Sequence, residues 1–352
     1  MTFRVIQWAT GAMGKACLRA VLDHPEAELV GLYVYGDKAG RDAGEIARRE
    51  PTGVIATRDI GEILALDADV VIHCARLAPP YGSHDAEILQ LLASGKNVIS
   101  INGYSRPSHW TGERREAMEA ACRAGGTSLM AAGLNPGFAA EQIAVVATGV
   151  CQALDHVEVV ESVDCRAVRN PDYVFRILGF GSDPADVDPN DPAWGPASSL
   201  NGMYEEVLAA MAKHLGLALE RVETDHRVFA ATQELGVAAG VIPEGRIGHV
   251  NWRWNGIVEG QPKLTMSIHW WMEEAHLDEP DPPLWRIRIK GHPGVRISID
   301  LEKREGDTTA TSAEQIGVAG AVLNAIPHVV AAAPGLMTRP LATPFRSRLA
   351  DA

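Results

Sequence analysis

Five short apolar runs alternate with segments of helical periodicity over the first 133 residues. The runs are FRVIQW (3–8), AELVGLYVY (27–35), ADVVIHCA (68–75), KNVISI (96–101) and TSLMAAG (127–133). Between them lie AMGKACLRAVLDH (12–24), DIGEILAL (59–66), HDAEILQLLASG (84–95) and GERREAMEAACRAGG (112–126). Runs of four to eight apolar residues separated by amphipathic helices are strands buried on both faces, and the helical crossovers make them parallel. The alternation predicts a doubly wound α/β sheet across residues 1–150.

The grammar then changes. DHVEVVESVDCR (155–166), VNWRWNGIV (250–258), KLTMSIHWW (263–271), WRIRIKG (285–291) and GVRISIDLEKR (294–304) alternate with period two. That pattern predicts a mostly antiparallel sheet with one polar face. LNGMYEEVLAAMAKHLG (200–216) reads as a helix, and the Asp- and Pro-rich FGSDPADVDPNDPAWGP (180–196) as a loop. The expected organisation is a nucleotide-binding domain at 1–150, completed by a returning helical segment at 308–352, and an α+β substrate and dimerisation domain at 151–307.

Bulk properties narrow the function classes. Asp and Glu number 45 against 32 Lys and Arg, a net charge of −13. That balance opposes binding to nucleic acid, where basic side chains must neutralise phosphates, and to an anionic membrane. The N-terminal apolar run carries Arg4 and Gln7 and does not read as a signal peptide. VLNAIPHVVAAAPGLM (322–337) is broken by Asn324, His328 and two prolines, short of a membrane span. The five cysteines, Cys17, Cys74, Cys122, Cys151 and Cys165, lack metal spacing and read as reduced thiols of a cytoplasmic protein. The histidines show no short paired spacing, so no metal site is expected.

WATGAMG (8–14) joins the first strand to the first helix. Gly11 and Gly14 occupy the second and third positions of a Gly-x-Gly-x-x-Gly turn, and Ala9 replaces the first glycine. Such a turn lets the backbone approach a pyrophosphate and presents the free N–H groups of a helix start. Thr10, Gly11, Ala12, Met13 and Gly14 are therefore expected to hold a dinucleotide in a Rossmann-type fold. The second strand ends without the carboxylate that accepts from a ribose in NAD sites. Lys38 and Arg41 follow it and suit a 2′-phosphate, which points to NADP with NAD also admitted. Ala75 and Arg76, after the third apolar strand, and Asn102 and Gly103, after the fourth, are placed along the cofactor. Tyr104 is the candidate donor to a substrate oxygen, and Asn135 of the NPGF turn the candidate donor to nicotinamide or substrate.

ATGAMGK (9–15), GRDAGEI (40–46), ASGKNVIS (93–100), GLNPGF (133–138) and VLNAIPHVVAAAPGLMT (322–338) resemble the 2,4-diaminopentanoate dehydrogenase and native amine dehydrogenase group. That group is related to dihydrodipicolinate reductase in its nucleotide-binding half. The resemblance implies a homodimeric NAD(P)-dependent oxidoreductase that moves hydride at a C=N or C=O carbon of a small, apolar substrate. One departure stands out. The group carries a glutamate after the fourth strand, and here the segment reads SINGYSRPSHW, with no acid before Glu113. A neutral acceptor is therefore expected in place of an ammonium. The alternative is an NADP-binding sensor that has lost its chemistry.

Overall fold

The computed structural model describes residues 2–106, 109 and 112–338. Pro107, Ser108 and Trp110 of the segment after the fourth strand, and the returning segment beyond Thr338, lie outside the described residues. The chain forms two compact units. The first runs to Leu77, resumes over Gly82–Phe138 and takes in residues 301–338; the second holds Ala78–Tyr81 and Ala139–Asp300.

The first unit contains β1 (Phe3–Trp8), α1 (Ala12–Asp23), β2 (Ala27–Tyr33), α2 (Ala43–Ala47), α3 (Ile60–Ala65), β3 (Val70–His73), α4 (Asp85–Ala93), β4 (Asn97–Ser100), α5 (Glu113–Gly125) and β5 (Ser128–Ala131). The second contains α6 (Val145–Ala147), β6 (Ala153–Asp164), α7 (Gly195–Leu215), β7 (Arg221–Thr224), β8 (Arg227–Ala230), β9 (Leu235–Val237), β10 (Gly240–Ile242), β11 (Ile247–Val258), β12 (Gln261–Trp271), β13 (Trp285–His292) and β14 (Val295–Ile299). The first unit is then completed by α8 (Ala313–Val330) and β15 (Gly335–Leu336).

The sheet of the first unit is parallel, in the order β15-β5-β4-β3-β1-β2. Val5, Ile6, Val70, Val71, Ile72, Val98 and Ile99 are wholly buried, as two covered faces require. The order reverses at β1. The chain steps outward to β2 and then returns to β3 on the other side, which opens a crevice above the carboxyl ends of β1 and β3. α8 packs against α1. Ser312 and Gln315 form a capping box at the start of α8, and Arg19 of α1 donates to the Thr311 hydroxyl at 3.0 Å.

The second unit is built on a seven-stranded sheet, ordered β14-β13-β6-β12-β11-β7 with β8 also on β11. Its pairs are antiparallel except β6 with β12. Two tryptophans of β11 belong to the core of this unit. Trp252 and Trp254 are wholly buried. Trp252 stacks on Trp194 with centroids 5.4 Å apart, and Trp254 on Tyr204 of α7 at 4.3 Å. They form the core between sheet and helix. The Asp- and Pro-rich loop holds one short 3-10 turn, Pro184–Asp186.

Candidate active site

The carboxyl ends of β1 to β5 bring most of the expected site residues onto one edge of the first unit. Ala9 takes a left-handed conformation, φ 71°, and is buried. It does the work of the missing first glycine at the conformational cost a non-glycine residue carries there. Gly14 is required by packing, since a β-carbon there would fall on the Ala9 carbonyl. Gly11 is different. Its φ of −64° suits any residue, and a β-carbon there would meet nothing within 4 Å. Nothing in the protein demands a glycine at this place, so the open space fits a ligand that closes on the backbone. α1 begins here with no side-chain cap and no acid in its first turn, leaving a positive pole. Gly11 and Ala12 are exposed and Met13 is half-buried.

One cation is seated against this turn. The Lys38 ammonium donates to the Thr10 carbonyl at 2.7 Å and to its hydroxyl oxygen at 3.0 Å. Burial lowers the Lys38 pKa, and the neighbouring Lys15 and Arg41 act in the same direction against Asp37. Arg41 is exposed and paired with Glu45 at 2.7 Å. Lys38 thus lies against the turn, while Arg41 stands on the surface beside it.

The loop after β3 is fixed from two sides. The Ala75 carbonyl accepts from the side-chain amide of Asn102, and the Arg76 carbonyl lies 2.9 Å from Nε2 of His84. Ala75 is buried and Arg76 exposed. After β4, Gly103 and Tyr104 are both left-handed, φ 96° and 67°. Tyr104 is buried, and its hydroxyl donates to Asp85 at 2.6 Å. The Arg114 guanidinium also holds Asp85 and lies 6.0 Å from the Tyr104 ring. The Asp85 carboxylate is therefore tied to a cation and a phenol, and it comes from α4, a placement the sequence did not disclose. After β5, Asn135, Pro136 and Gly137 form a non-helical turn with a cis Asn135–Pro136 bond. Asn135 is consequently not the cap of a regular helix.

Trp8 and Tyr35 complete the edge. The Trp8 indole donates to the Tyr35 hydroxyl at 2.8 Å, which donates to Glu87 at 2.6 Å. Further acidic side chains lie in the second unit. Glu273 accepts from the backbone and hydroxyl of Thr232, both at 2.7 Å, and has a structural role. Glu141 is buried, as is Glu206, which accepts from the Tyr81 hydroxyl at 2.7 Å. Burial, then the charges of Glu161 and Glu141, raise the Tyr204 pKa well above that of a free phenol. No helix among the described residues is long and apolar enough to cross a membrane.

Comparison with known proteins agrees with the geometry. Residues 5–79 match the family model described as dihydrodipicolinate reductase, N-terminus. An amine dehydrogenase from Streptomyces virginiae is 29% identical over 351 residues, covering 94% of this chain and 93% of its own. The solved amine dehydrogenase from Mycobacterium smegmatis superposes with a TM-score of 0.77 at 19% identity, over 99% of each chain. More distant folds include biliverdin reductase from Synechocystis, solved with biliverdin and NADP+ (TM-score 0.52, 11% identity, 98% of this chain and 94% of that one). Another is an oxidoreductase from Agrobacterium radiobacter solved with NAD+, L-tartaric acid and magnesium (TM-score 0.56, 12% identity, 93% of this chain and 88% of that one). Residues 5–79 thus resemble the N-terminal part of dihydrodipicolinate reductase, and the chain resembles an amine dehydrogenase over 94% of its length.

Proposed function

We propose that this protein is an NADPH-preferring reductase of a neutral C=N or C=O acceptor. At the coarser level it is an NAD(P)-dependent oxidoreductase like amine dehydrogenase. The observation that carries the cofactor reading is the open space over Gly11 beneath an uncapped helix start. Gly11, Ala12, Met13 and Gly14 would hold the pyrophosphate, with Thr10 tied to Lys38 beside it. Lys38 and Arg41, with no carboxylate at the end of β2, support the 2′-phosphate of NADP over NAD. Ala75, Arg76, Asn102 and Gly103 would follow the cofactor along the strand ends. The cofactor supplies the hydride when bound.

The neutral-acceptor reading rests on the segment after β4. Asn102, Gly103 and Tyr104 offer no acid, and Asp85 beside them is already paired with Arg114 and Tyr104. Tyr104 is the proposed proton donor to the acceptor, turning its hydroxyl from Asp85, and Asn135 the proposed orienting amide. A homodimer remains part of the proposal through the family resemblance. A second reading, a full amine dehydrogenase, is favoured by the buried carboxylates of Glu141 and Glu206 in the second unit. NADPH absorbance followed over a panel of ketones, with and without ammonia, separates these readings. Ammonia-independent turnover supports the first, ammonia-dependent turnover the second. No turnover with tight NADPH binding would leave a sensor.

A further inference from the structure

Apart from the glycine turn, the first unit draws His73, His84 and Glu87 together. His73 ends β3, His84 is the N-cap of α4, and Glu87 follows three residues later. The helix therefore sets His84 and Glu87 on one face. Nε2 of His73 and Nδ1 of His84 each lie 2.8 Å from Oε1 of Glu87. Ligand atoms from all three residues fall within 4.8 Å of one another.

The hydrogen positions of His84 are constrained. Its Nε2 lies 2.9 Å from the Arg76 carbonyl, which only accepts, so Nε2 carries a proton. In the neutral ring Nδ1 then aims a lone pair at a carboxylate oxygen that also has only lone pairs. Either a second proton on the ring or a cation between the groups resolves the conflict. A backbone carbonyl on the far nitrogen is the partner that fixes the tautomer of metal-bound histidines. Two imidazoles and one carboxylate are a zinc donor set that leaves a fourth position to water. The side chains are 1% exposed at His73, 21% at His84 and 17% at Glu87, so an ion has a route in from one side.

We propose that His73 Nε2, His84 Nδ1 and a carboxylate oxygen of Glu87 bind one divalent transition-metal ion of the zinc class. Ligand atoms stand about 3.3 Å apart around a tetrahedral zinc ion, so binding spreads the present contacts by about half an ångström. The ion ties the end of β3 to the first turn of α4, on either side of Ala75 and Arg76. The role is structural, and the site stands independently of the reading of the reaction.

The test is a titration of chelator-treated, full-length protein with Co²⁺, followed by visible absorbance, then displacement by Zn²⁺. One ion per chain is expected, with the intense bands of a four-coordinate site. His84→Ala and Glu87→Gln should each weaken binding at least tenfold, and His269→Ala, in the second unit, should leave it unchanged. Saturating Zn²⁺ should raise the melting midpoint of the unaltered protein by about 2 °C or more. Melting curves establish that each variant folds, and either folded variant suffices. Absence of the bands, or equal affinity in His84→Ala or Glu87→Gln, overturns the proposal.

Discussion

The carbonyl oxygen of Ala9 fills the place where a β-carbon on Gly14 would stand, while Gly11 faces open space. Two glycines of one turn thus answer to different demands. Gly14→Ala must push α1 off the turn and should cost about 1–3 kcal/mol of stability, read from urea midpoints. Gly11→Ala should stay within about 0.5 kcal/mol of the parent yet weaken NADPH binding. Equal destabilisation by both, or unchanged affinity in Gly11→Ala, would contradict this division.

On the proposed reading, Lys38 and Arg41 set the cofactor preference. Each charge-assisted contact contributes about 1.5–3 kcal/mol, so replacing both with alanine should shift the NADPH-to-NADH affinity ratio more than tenfold. Equal losses for both cofactors would show that neither side chain meets a 2′-phosphate.

The second unit should lose stability in mild acid. Burial, then the neighbouring His269 and His276, hold His249 down to about 3, and burial holds His226 down to about 4. In the unfolded chain both histidines take up protons near pH 6.5. The folded state refuses them, so the unfolded state binds more protons as the pH drops. This contribution is intact above pH 6.5 and is lost as pH falls from there toward 4 and 3. Urea midpoints of the second unit's unfolding, followed by tryptophan fluorescence, should fall steadily between about pH 7 and pH 5. His249→Gln should flatten that slope. A pH-independent midpoint would refute the buried, neutral state of both rings.

Tyr104 separates positioning from chemistry. Tyr104→Phe removes a hydrogen bond to an ionised acceptor and should cost about 1.5–3 kcal/mol of stability. On the proposed reading it also slows carbonyl reduction about a hundredfold, the scale of a lost proton donor. Loss of stability with an unchanged kcat would confine Tyr104 to holding Asp85.

The parallel sheet was legible because burial on both faces leaves an unbroken apolar run, and β1 to β5 each carry one. β6 and β11 to β14 were equally legible from period-two alternation, whereas β7 to β10, at three or four residues each, are too short to show it. The parallel pairing of β6 with β12 was not, since alternation specifies a wet face and says nothing of a neighbour's direction. Trp252 and Trp254 share one face of β11 by their spacing, but sequence does not state which face α7 covers. Gly11, Lys38, Ala75 and Asn102 were legible as residues that follow strand ends, and the fold sets each of them there. Asp85 and Glu87 were hidden because α4 carries them to Tyr104 and Tyr35 across contacts distant in the chain. The two glycines matched one motif, and only the Ala9 carbonyl distinguishes them.

The central claim is hydride transfer by this protein, and isotope transfer measures it directly. Reduction of an accepted ketone or imine with NADPH deuterated at the transferring position of the nicotinamide should place one deuterium on the product carbon, detected by mass spectrometry. Product that forms without the label, or tight NADPH binding with no product across the panel, would contradict the account.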